Sequence, residues 1–166
     1  MAVVAGDIKF YHSGGAANSD PNASLGGVQS SVEITDATLE NLFDNVSSAD
    51  AASGETNYRC LYVENTNGVD TLTAALTFFA SVPTITGIAM GLDPAGVNGT
   101  ATTIANEDAV PGGVAFTTPE TAGAGLAIGD LTAGDSQAIW VRRTVAPGAA
   151  SNPLDSTTVR VQGDTV

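Results

Sequence analysis

Along this chain apolar residues recur mostly at every second position, and Gly, Pro, Asn and Asp interrupt them at short intervals. Such period-two runs predict strands with one face inward, and the interruptions predict turns. A first strand is expected over Asp7 to His12, followed by a loop from Ser13 to Gly27 with almost no apolar content. A second strand is expected over Val28 to Thr35, with Val28, Val32 and Ile34 on one face. Thr38 to Asp44 is the best helix candidate, because Leu39, Leu42 and Phe43 fall at i, i+3 and i+4, with Thr35 or Asp36 as cap. Asn45 to Gly54 reads as a small-polar loop.

Stronger strands follow. Thr56 to Asn65 alternates Tyr58, Cys60 and Tyr62 against Leu61 and Val63. Thr71 to Ser81 sets Leu72, Ala74, Leu76, Phe78 and Ala80 on one face and Thr71, Thr73, Ala75 and Thr77 on the other. Glu64 to Gly68 between them is turn chemistry, so the two strands read as a hairpin. Ile85 to Leu92 and Gln137 to Val145 are further strands; in the second, Ile139, Val141 and Val145 share a face and Trp140 takes the other. Asp93 to Asp135 is Gly/Pro/Ala-rich, with short strands expected near 100–104, 113–117 and 126–128. Ser156 to Asp164 closes the series. The expected fold is therefore all-β: an antiparallel β-sandwich, immunoglobulin-like or jelly-roll-like, with long Gly/Ala-rich loops and at most one short helix. No composition shift divides it, so residues 1–166 read as one domain, with 1–27 as an N-terminal strand plus extended loop.

Composition narrows the function. Eighteen acidic residues against five basic ones give a formal charge of −13. Duplex binding draws on Lys and Arg that displace counterions, so nucleic acid is not an expected partner. Arg142 and Arg143 are adjacent in a strand, point to opposite faces and make no patch. No apolar segment is long enough to span a bilayer as a helix, and no secretion signal is read at the N-terminus; synthesis in a cytoplasm is the expectation.

Candidate chemistry is sparse. The single cysteine, Cys60, sits in an apolar run and reads as a buried, inert thiol, far along the chain from the single histidine, His12. Asp93, Asn98, Glu107, Asp108, Asp130 and Asp135 sit in loops; solvated turn carboxylates are the preferred reading, with a structural calcium as the alternative. Aromatics are 5% of the chain, so Trp140, Phe78 and Phe116 read as core anchors rather than a sugar-binding platform. No nucleophile elbow, phosphate loop or His-Glu-x-x-His occurs, and the chain is expected to be no enzyme, with no cofactor, metal or small-molecule substrate.

Leu131 to Ser136 before Gln137-Ala138-Ile139-Trp140 resembles the corner of immunoglobulin-like sandwiches that turns the chain into a penultimate strand, with the last strand beside it. Three longer stretches carry a second resemblance: Ile8-Lys9-Phe10-Tyr11-His12-Ser13-Gly14-Gly15 running on to Gly27, Tyr58-Arg59-Cys60-Leu61-Tyr62-Val63-Glu64-Asn65, and Ala138-Ile139-Trp140-Val141-Arg142-Arg143-Thr144-Val145. Together they resemble a group of small virion structural proteins of tailed bacteriophages. That resemblance implies a capsid decoration (cement) protein, located on the virion's capsid surface, whose partners are the major capsid protein and other copies of itself. The alternatives are a neck, tail or head-fibre component, or a glycan-binding sandwich module. No site residues come with the resemblance. From the residues themselves the expected protein interface is the first strand, Lys9, Phe10, Tyr11 and His12, whose edge a partner sheet could complete, and the loop behind it. Long loops are expected to drape over a neighbouring shell.

Overall fold

A computed structural model describes residues 2–152 and 154–165; Met1, Pro153 and Val166 lie outside the described residues. Seven strands form two antiparallel sheets: β1 (Ile8–His12), β2 (Glu55–Asn65), β3 (Leu72–Ser81), β4 (Gly87–Leu92), β5 (Leu126–Leu131), β6 (Ser136–Val145) and β7 (Thr158–Thr165). One sheet has the order β1-β2-β6-β4 and the other β5-β3-β7. The all-β sandwich is thus what the alternating pattern specifies. Constant-type immunoglobulin domains keep their fourth and fifth strands in one sheet. Here β5 goes to the second sheet instead, and β6 takes the place beside β2.

The core between the sheets follows from parity. Leu61 and Val63, Ile139 and Val141, and Ile88 and Met90 point inward from the first sheet. They meet Phe79, Leu126, Ile128, Val159 and Val161 from the second. The other parity of the first sheet is buried too. Tyr58, Cys60, Tyr62, Ala138 and Trp140 form a second apolar cluster on its outer face, roofed by Leu25, Ala101, Ile104, Val114 and Phe116 from the loops. This is a third layer: the loops cover the protein's own sheet. Gly26 lets the roof come close, since a Cβ there would lie 1.7 Å from the Thr102 carbonyl oxygen and its φ is +89°.

Several expected elements differ. Val28 to Thr35 is not a strand; one isolated bridge, Tyr11 to Glu33, is all the ladder it makes. The short strands near 100–104 and 113–117 likewise reduce to single bridges, Gly27 to Ala101 and Met90 to Thr117. Thr38 to Asp44 forms no helix: Ala37 (φ 55°) and Glu40 (φ 58°) are left-handed, and Leu39 is 76% exposed. Leu42 and Phe43 reach the core without a helix to carry them, so tertiary packing overrides the local periodicity. The one α-helix, α1 (Ser48–Ser53), lies instead in the segment read as a polar loop, where the Ser47 side chain accepts the Asp50 N–H and caps it. β2 and β3 are not a hairpin, because they belong to different sheets. Asn65 and Asn67 shape the crossover: the Asn65 amide donates to Asp70 and Leu131 carbonyls at 2.9 Å each, and its oxygen accepts the Asn67 N–H. The corner at Leu131 to Ser136 does turn the chain into the penultimate strand, but the last strand, β7, pairs with β3 rather than lying beside β6.

Candidate interaction surfaces

The four residues expected to form the interface lie on β1, which pairs with β2 in the register Lys9 to Glu64, Phe10 to Val63, Tyr11 to Tyr62 and His12 to Leu61. Phe10 packs into the core between the sheets, and Tyr11 packs half-buried against the outer cluster. Lys9 Nζ pairs with Glu33 at 2.9 Å. His12 is buried with its Nδ1 3.2 Å from the Ser24 hydroxyl, and burial pushes its pKa below the ordinary 6.5. The outer edge of β1 is partly taken as well. Ser30 N–H donates to the His12 carbonyl, His12 N–H to Val32 and Ile34 N–H to Phe10. The structure therefore brings the four residues together on one strand, with Lys9 and Tyr11 nearest the surface and Phe10 and His12 held by the fold.

The acidic excess faces outward, and two of the five cations are used inside. Arg59 is 1% exposed. Its Nη2 donates to Asn22 Oδ1 at 2.7 Å and meets Asp44 and Glu107, and its Nη1 donates to the Tyr58 carbonyl. Arg143 donates to the Asp44 carbonyl at 2.6 Å, to Asn57 Oδ1 at 2.9 Å and to Glu55 at 3.1 Å. Phe43 lies between the two guanidinium groups, with its ring centre 5.6 Å from Arg59 and 4.9 Å from Arg143. Two arginines and one aromatic thus staple the loops around residues 22, 44 and 107 to β2 and β6. Sequence reading missed this cluster. Its signal was available: a cation inside an otherwise apolar strand must find carboxylates to be buried at all. Arg142 goes to the opposite face, as adjacency in a strand requires, and stacks over Phe116 at 5.3 Å.

The loop carboxylates read as turn formers take separate structural positions. Asp93 is buried; its Oδ1 accepts the Ala95 N–H, and its Oδ2 accepts Thr102 N–H and Trp140 Nε1–H, each at 2.9 Å. Asp130 accepts the Ala74 N–H and Glu107 holds Arg59, whereas Asp108 is exposed. Asp135 accepts from Asn98 and Thr132, and these bonds hold its carboxyl below the ordinary value. Among the described residues no group of three or more His, Cys, Asp or Glu is placed to hold a metal ion, and no helix is long and apolar enough to cross a membrane. Cys60 is fully buried and desolvation pushes its thiol pKa up. Trp140 is buried in the outer cluster and Phe116 packs half-buried against it, so both serve as anchors, whereas Phe78 is buried outside the three apolar clusters.

Concavities are shallow. One of about 360 Å³ is framed by Gly14, Gly15, Gly26 and Gly27 beside Leu25 and Val28, and one of about 220 Å³ lies between the N-terminal segment and β7. The exposed apolar side chains Leu39, Val69, Val110 and Leu154 are loop residues. No family model matches this chain, and neither a curated protein nor a solved structure was found to be similar to it.

Proposed function

We propose that this chain is a non-enzymatic structural protein of a tailed-bacteriophage virion, a capsid decoration protein that binds and bridges major capsid protein subunits. The observation that carries the reading is where the phage-like stretches fall. Residues 8–12, 58–65 and 138–145 occupy β1, β2 and β6, three neighbouring strands of one sheet, and residues 13–27 fold over that sheet's outer face. The resemblance is thus to one continuous structural unit. A chain with its single thiol buried, its single histidine held against Ser24 and two of its five cations used as internal staples offers an acidic outer surface. Such a surface suits attachment in many copies, where modest contacts add up through avidity. The loops wrap the protein's own sheet, so contacts with a shell fall to the roof's outer surface and the sandwich edges rather than to draping arms.

Counting copies in purified virions tests this. Hundreds of copies per particle are expected; on the order of a dozen or fewer would move the protein to the neck, tail or a fibre.

A further inference from the structure

We infer that β7 is the contact edge of a two-fold symmetric dimer of this chain, in which β7 pairs antiparallel with β7 of a second copy about an axis at Gln162. Three of the sandwich's four sheet edges differ from this one. Residues 30–34 run along β1, and Thr117 exchanges both backbone hydrogen bonds with Met90 of β4. β5 is short and broken by Gly129 at φ 94°. β7 runs eight residues, Thr158–Thr165, paired with β3 on one side; Val3, Val4 and Ala5 border a hollow beside Val161–Thr165, but among the described residues they make no backbone hydrogen bond to β7, and its other side receives none. The register shifts between β3 and β7 place the extra residues in β3, so β7 itself is unbulged. It also lacks proline, another common device that blunts an exposed edge.

Charge selects the partner. Val159 and Val161 point into the core, while Thr158, Arg160, Gln162 and Asp164 are exposed on the outer face. Antiparallel pairing about Gln162 sets Arg160 directly opposite Asp164 of the second copy, and the symmetry makes this pair twice. Within one strand the two are about 13 Å apart and cannot pair with each other. Arg160 is also the cation the fold leaves over: among the described residues it has no ion pair, whereas Lys9, Arg59 and Arg143 have carboxylate partners and Arg142 stacks on Phe116. The edge is therefore complementary to itself, and dimerisation makes one continuous six-stranded sheet from the two three-stranded ones. The pairing stands whether or not the chain decorates a capsid.

Sedimentation equilibrium of the full chain tests it. The wild type should dimerise. Arg160→Asp and Asp164→Arg should each weaken the dimer by about tenfold or more, since each turns both attractive pairs into like-charge pairs, and the double variant should restore it. Circular dichroism confirms that each variant is folded. Independently, Gln162→Cys should form a disulfide-linked dimer under mild oxidation, because residues opposed in an antiparallel pair lie within disulfide reach, while Thr158→Cys should not. A monomeric wild type, reversals without effect, or a double variant that stays weakened would overturn the proposal. So would cross-linking at position 158 as readily as at 162, which would mark a different β7–β7 register or an unspecific edge.

Discussion

Cys60 and Tyr62 stand on the same face of β2, under the loop roof, and use burial in opposite ways. The Cys60 thiol lies 3.9 Å from Leu61's carbonyl and near the Ser13 side chain, and desolvation outweighs that contact and raises its pKa, so almost no thiolate forms near neutral pH. It should resist iodoacetamide in the native protein and react fully only after denaturation, as intact-mass spectrometry will show. Tyr62 instead carries a hydrogen-bonded hydroxyl: it donates to the Gly27 carbonyl at 2.6 Å and accepts the Ala101 N–H at 2.9 Å, tying two loops to the sheet. Tyr62→Phe removes both bonds and leaves the buried Ala101 N–H without its acceptor. The expected loss is about 1–3 kcal/mol, read from the midpoint of urea unfolding. Alternation along β2 was enough to place both residues on one face. It did not show that this face is buried, because the cover comes from loops whose apolar residues, Leu25, Ala101 and Ile104, are scattered singly and carry no period. The same blindness hid Arg59, whose partners Asn22, Asp44 and Glu107 come from three separate loops.

At the level of elements, β2, β3, β6 and β7 were legible because their apolar residues alternate over many positions. What failed was phase and partnership. β3 begins with Leu72 inward, but Ala74 turns left-handed at φ 50°, its N–H goes to Asp130, and from there Ala75, Thr77 and Phe79 face the core while Phe78 is buried at the opposite parity. The irregularity around Ala74 thereby moves the side chains up to Phe79 to the other face, a further shift follows between Phe79 and Ser81, and no periodic pattern can announce either. β1 is the edge strand that its sequence suggests, but Ile8 and Phe10 also belong to the core between the sheets. Deleting residues 1–12 should accordingly cost thermal stability or folding itself, measured by circular dichroism, rather than leave an intact sandwich. The connection after β6 is tied to the Ser81–Thr86 segment by Asn152 and Thr157 and, with the most bonds, by Asp155. Asp155 accepts the N–H groups of Thr84, Ile85 and Thr86 and the hydroxyls of Thr84 and Thr86. Burial pushes its carboxyl up, but these donors outweigh it and hold the pKa below the ordinary 3.8. A carboxyl with a depressed folded pKa contributes stability above its unfolded value and loses it as pH falls through the folded one. Asp155→Asn should therefore lower the midpoint of thermal unfolding at neutral pH, and the difference from wild type should shrink below about pH 3.8.

For the whole molecule, the question is what an excess of thirteen negative charges does to a sandwich two of whose five cations are internal. Asp36, Glu40, Asp108, Glu120, Asp130 and Asp164 are exposed and repel one another through water, an interaction that acts over a Debye length of about 10 Å at 0.1 M salt. The attractive pairs divide differently. Lys9 with Glu33 is exposed enough to be screened by salt and contributes little. The guanidinium groups of Arg59 and Arg143 lie under Phe43 and the loops, where added ions reach them poorly. Salt should then remove mainly repulsion. The thermal midpoint is expected to rise between about 0.02 M and about 0.5 M NaCl, chloride being chosen because sulfate also stabilises by exclusion from the surface. His12 adds a separate pH signature. Its pKa is lowered by burial, so the stability it contributes is complete above about 6.5 and is lost on acidification, a step that His12→Asn should abolish while leaving the salt response intact. A midpoint that falls with salt would mean that the partly exposed pairs, and not the buried staples, dominate the electrostatics of this fold.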